Sequence, residues 1–155
     1  MAETDHTLPA ERAGESRDDH DVLTRNLVSR LSFLGLYQAA IPMLLEIDAQ
    51  EFVRTLIDEE QEALALLAGR LRRLGYPVPT EASPERLLNQ FRARRGTLDQ
   101  LAFLRRGIEG AAEWYEGQAG GDALAPATRE LFAELGRLQR ERIARLDVAV
   151  IKLRG

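Results

Sequence analysis

The sequence predicts an all-α fold of four long helices with one long crossover in the middle. Three observations predict it. Apolar residues recur at alternating spacings of three and four through four segments. Start and stop signals bracket those segments, and the connection between the second and third is about 22 residues long.

The first helix is expected from about 21 to 47, on a seam of Leu27, Leu31, Leu34, Gln38, Ile41 and Leu45, with Pro42 kinking or interrupting it near its end. Asp48-Ala49-Gln50-Glu51 reads as a capping box that opens the second helix, and Gly75 with Pro77 stops it. Its seam is Val53, Leu56, Glu60, Ala63, Leu67, Arg70 and Leu74. The connection from 76 to 97 contains a short helix at Ser83-Pro84-Glu85-Arg86-Leu87-Leu88, serine capping and proline in the first turn. Such a connection is long enough to cross the length of a bundle and make the second and third helices parallel. Thr97-Leu98-Asp99-Gln100 is a second capping box; the third seam follows as Leu98, Leu101, Arg105, Ile108, Ala112, Tyr115 and Ala119, ending at Gly120 and Gly121. The fourth helix starts near Pro126 and runs to Leu153 on Phe132, Leu135, Gln139, Arg142, Leu146, Ala149 and Leu153.

Composition narrows the function classes. Cysteine is absent, which excludes disulfides, thiolate metal sites and cysteine nucleophiles. No apolar run reaches the length of a membrane span and the N-terminus lacks the order of a signal peptide, so no membrane partner and a cytoplasmic location are expected. Residues 1 to 20 hold six acids against two arginines and so carry the whole formal charge of −4. They are expected to form a disordered acidic tail ahead of a single helical domain at 21–155. An acidic tail on a charge-balanced domain, with arginine pairs scattered among acids, argues against nucleic acid as a partner. Both histidines, His6 and His20, lie in the tail, so the helices hold no histidine base for a nucleophile.

The inward carboxylate of the second helix is the most informative feature. An acid in an apolar seam is costly unless paired or bound to metal. The string Leu56-Ile57-Asp58-Glu59-Glu60-Gln61-Glu62-Ala63, ending in Gly75-Tyr76-Pro77, resembles the second helix of bacterioferritins; the fourth-helix string Gln139-Arg140-Glu141-Arg142-Ile143-Ala144-Arg145-Leu146 resembles the Glu-x-x-His region of the same ferritin-like superfamily. The third helix, with Glu109 and Glu113 before Trp114-Tyr115, resembles the corresponding end in rubrerythrins. The stretch from Ala68-Gly69-Arg70-Leu71 to Pro77-Val78-Pro79-Thr80 is similar to the DNA-protecting mini-ferritins, whose ligand glutamate would fall at Gly69.

The resemblance implies a ferritin-like four-helix bundle whose di-iron ligands would come as one glutamate from each of two helices and a Glu-x-x-His pair from each of the others. Matching the Gly-x-Pro ending makes Glu59-x-x-Glu62 the pair in the second helix, whereas the helical wheel makes it Glu60-x-x-Ala63, since Glu60 shares the face of Leu56, Ala63 and Leu67. On the wheel's register the histidine is alanine. In the fourth helix Gln139 and Arg142 take the glutamate and histidine positions, and arginine has no lone pair to give. Arg30 stands where a register anchored on Tyr37 places the first-helix glutamate.

A core polar network of Glu60, Arg105, Gln139, Arg142 and Gln38 is therefore expected in place of the di-iron centre, in a non-catalytic structural or binding protein without a cofactor. The alternative is a metal-binding or ferroxidase-type protein holding iron or manganese at a rearranged carboxylate site of Glu59, Glu60, Glu62, Glu109 and Glu113. Val148-Ala149-Val150-Ile151 makes the last helix apolar nearly all round, and Val28, Phe33 and Leu36 add apolar residues off the first seam. These faces predict a homodimer or higher homo-oligomer.

Overall fold

The computed structural model of the chain describes residues 18–155, which are all-α with no strand among them. Helix α1 spans His20–Ala40, α2 Ile47–Arg73, α3 Glu85–Arg92, α4 Thr97–Gly120 and α5 Pro126–Arg154; a 3₁₀ turn at Ile41–Met43 follows α1. Pro42 lies in that turn, so the first helix ends at Ala40, well before the second begins at Ile47, rather than kinking through. None of these helices is long and apolar enough to cross a membrane.

Two apolar clusters form the core. One gathers Leu36 and Tyr37 of α1, Phe52, Val53 and Leu56 of α2, Leu101, Leu104 and Ile108 of α4, and Leu146 of α5, with Phe91 of α3 closing it. The other gathers Leu23 and Leu27, then Leu67 and Leu71, then Tyr115, then Phe132 and Leu135. Residue numbers rise from the second cluster to the first along α1 and α5, and the opposite way along α2 and α4. Helices α2 and α4 thus run parallel, as the crossover carrying α3 requires.

The α2 terminus shows how a stop signal works. Gly75 adopts φ +86°, which an L side chain resists, and the chain turns so that Tyr76 N–H donates to the Leu71 carbonyl and Gly75 N–H to that of Arg72, both at 2.9 Å. The expected start signals act differently. Helix α2 opens at Ile47 without a side-chain cap, and Gln50 donates its amide to the Leu44 carbonyl at 2.8 Å instead of completing a box. At α4, Gly96 with φ +88° precedes the helix, and Asp99 accepts the Arg95 N–H at 2.9 Å.

The inward face of α1 is one residue out of phase with the expected seam. Leu23, Leu27, Arg30, Tyr37 and Leu44 are buried, while Gln38 and Leu45 are exposed. A buried arginine reads as polar in a hydrophobicity pattern, and discounting Arg30 turns the deduced face by about 100°. The tail boundary also moves. Asp19 is fully buried and His20 stacks on Tyr76 with ring centroids 3.8 Å apart, so residues 18 to 20 belong to the helical body. The rest of the expected tail, with His6, lies outside the described residues.

Candidate functional site

A layer of charge separates the two apolar clusters. On each contributing helix it falls between the residues of one cluster and those of the other: Arg30 between Leu27 and Leu36, Glu60 between Leu56 and Ala63, Gln139 and Arg142 between Leu135 and Leu146. Helical periodicity thus brings residues from α1, α2 and α5 to one level. Helix α4 supplies only the small Ala112 there, which is also buried.

Glu60 is the centre of the layer. Its Oε2 accepts Arg30 Nη1 at 2.8 Å and Arg142 Nη1 at 2.7 Å, with all three side chains buried. Arg142 Nη1 also donates to Gln139 Oε1 at 3.2 Å, and its Nε donates to Glu59 Oε1 at 2.9 Å. Glu59, nearer the surface, is forked by Arg145, both of whose terminal nitrogens lie 2.7 Å from its carboxylate oxygens. Three guanidinium groups therefore meet two carboxylates. Glu60 Oε1, Arg30 Nε and Arg142 Nη2 are buried with no hydrogen-bond partner among the described residues. The network thus leaves both donors and one acceptor over.

Titration follows from this arrangement. Burial works to lower the pKa of Arg30 and of Arg142, yet Glu60, together with the neighbouring tyrosines and, for Arg142, Glu59, outweighs it and both end raised. Burial pushes Tyr37 up to about 12, with Glu60 adding to it, so the phenol is neutral at ordinary pH. Tyr115, raised chiefly by burial, donates its hydroxyl to Asn26 Oδ1 at 2.7 Å. For Glu59 burial acts upward, but the hydrogen bonds from Arg145 and Arg142 win and hold it below the usual carboxylate value.

Of the expected network, Glu60, Gln139 and Arg142 come together. Arg105 and Gln38 do not. Arg105 faces outward on α4, held by Asp147 at 3.0 Å and Glu109 at 2.5 Å, and Gln38 sits on the exposed face of α1. Gln38 was assigned from a seam one residue out of phase, since Tyr37 is the buried neighbour, whereas the α4 seam holds at Leu101, Ile108, Ala112 and Tyr115 and gives way only at Arg105, beside the buried Leu104. Arg30 takes the place those two were expected to fill. Its signal lay in the heptad spacing of Leu23, Arg30, Tyr37 and Leu44.

The carboxylates of the metal alternative are not brought together. Glu59 and Glu60 are gripped by arginines, Glu109 pairs with Arg105, and Glu62 and Glu113 are exposed. Among the described residues no three His, Asp or Glu side chains form a group able to hold a metal ion. The donor set at the level of Glu60 does not fit a di-iron centre either, because Arg30 and Arg142 offer protons where ligands must offer lone pairs.

A second polar cluster, invisible to pattern reading, fastens the far end. Asp19 accepts the Ala125 N–H at 3.2 Å through one oxygen and the Thr128 hydroxyl through the other, while Arg70 Nε donates to Thr128 Oγ1 at 2.9 Å. A carboxylate at the start of α1 thereby caps the N-terminus of α5, where helix-dipole charge is also favourable.

No family model matches this chain, and no curated protein or solved structure shows significant similarity to it.

Proposed function

We propose that this chain is a ferritin-like four-helix bundle in which an arginine–carboxylate network stands where a di-iron centre would sit, and that it serves as a non-catalytic structural or binding protein that self-associates. One observation carries the reading: a fully buried carboxylate in the middle of the core, Glu60, is held by arginines from two other helices. A network of that kind fixes the register of α1, α2 and α5, because sliding any one of them strands a charge in the core. The parallel α2 and α4 and the crossover through α3 support the bundle lineage.

Self-association is supported by Val148 and Ile151, exposed on the last turns of α5, and by Leu45 in the α1–α2 connection and Ile47 at the start of α2, both exposed. The first-helix half of the expected interface is not available in the same way. Leu36 is buried, and Phe33 is partly covered.

The test is elemental analysis of protein purified after growth with iron and manganese, combined with sedimentation. Metal well below one equivalent and a dimer or larger species are expected. Stoichiometric iron or manganese, lost in Glu60→Ala, would overturn the non-catalytic reading; a monomer at high concentration would overturn self-association.

A further inference from the structure

Outside the Glu60 contacts, a groove of about 360 Å³ lies between α1 and α4. That is within the size range of small-molecule sites. Its lining combines apolar walls with positive charge: Phe33 and Trp114 stand beside Arg25, Ser29 and Arg30, and no carboxylate lines it. Arg25 shares an exposed pair with Asp21, whereas Arg30 is 3% exposed and forms part of the groove.

Two facts make Arg30 more than a wall. Its Nε, on the edge of the guanidinium that a carboxylate forks onto, has no partner, since only Nη1 is engaged by Glu60. Arg30 shares its one carboxylate partner, Glu60, with the equally buried Arg142, which leaves an excess of positive charge on it where little water screens it. An anion arriving in the groove meets that excess. Bulk phosphate is a poor match for walls that are aromatic. The guanidinium lies over the Phe33 ring at 4.7 Å, which leaves a planar, mixed apolar and cationic surface.

We propose that this groove binds a small organic acid with a flat apolar body, its carboxylate directed to Arg30 and Ser29 and its body against Phe33 and Trp114. This rests on the binding half of the reading above. The groove also has room by design of the sequence: a Cβ at Gly110 would meet nothing within 4 Å, so the α4 side is open backbone.

Trp114 is the only tryptophan of the chain and lines the groove, so its fluorescence responds to a ligand bound there. The experiment titrates the full-length protein with benzoate, with uncharged benzamide as the comparison. A saturable change with benzoate, at least about tenfold weaker with benzamide, is expected. Gly110→Leu should fold, since it adds a good helix former into open space, and should abolish the benzoate response. No saturable change, an equal response to benzamide, or undiminished binding in a Gly110→Leu protein of normal helicity would each overturn the site. Failure with a metal-free protein overturns this inference alone, whereas stoichiometric metal overturns the preceding reading.

Discussion

Arg105 and Arg142 each grip two carboxylates at similar distances. Arg105 reaches Asp147 at 3.0 Å and Glu109 at 2.5 Å; Arg142 reaches Glu59 at 2.9 Å and Glu60 at 2.7 Å. Their surroundings differ completely. The side chains of Arg105 and Asp147 keep 36% and 51% of their exposure, while those of Arg142 and Glu60 keep none. In the exposed trio water already solvates every charge, so the ion pairs exchange one good environment for another. Around Arg142 and Glu60 the water has gone, and each of these charges depends on its partners for nearly all its solvation. Burial, not pair geometry, decides what an ion pair is worth.

Substitutions sharpen that contrast. Arg142→Met removes the arginine that joins Glu59 to Glu60 and leaves Glu60 with Arg30 alone, so urea denaturation should show a loss of about 3–5 kcal/mol. A loss below about 1 kcal/mol would place Arg142 in the same class as Arg105. Glu59 is intermediate, at the edge of the network, and Glu59→Gln should cost about 1.5–3 kcal/mol at neutral pH.

The sign of the Glu59 pH effect follows from its lowered folded-state pKa. Its contribution is fully present above the unfolded value, near 4.5, and is lost as pH falls through the lower folded value. Stability measured from pH 6 down to about 3 should therefore fall less steeply in Glu59→Gln than in the unaltered protein; parallel curves would contradict this. Arg105→Ala, the smallest effect, should change stability by no more than about 1 kcal/mol, and added salt should shrink the difference further.

Much of the fold was legible because helices announce their ends locally. Gly75 stops α2 as read, and Pro126 opens α5. The phase of α1 was not legible, for a physical reason: hydrophobic periodicity assumes that charge faces water, and Arg30 faces Glu60. Glu60 itself was found because it lies amid an otherwise apolar face, where an acid stands out. Arg105 was misplaced because arginine in a seam looks the same whether its carboxylate is inside or outside. Asp19 could not be found at all. It sits in an acidic run, and its partner Thr128 is 109 positions away in the sequence. Contacts of that range leave no spacing for a pattern to detect.

The Glu60 charge holds together the buried layer between the two apolar clusters. Equilibrium unfolding of Glu60→Gln tests it most directly, since glutamine keeps the shape and removes only the charge. A loss of about 3 kcal/mol is expected, because Arg30 would be left buried without a counter-charge and Arg142 with Glu59 alone. A near-neutral change in stability would contradict it.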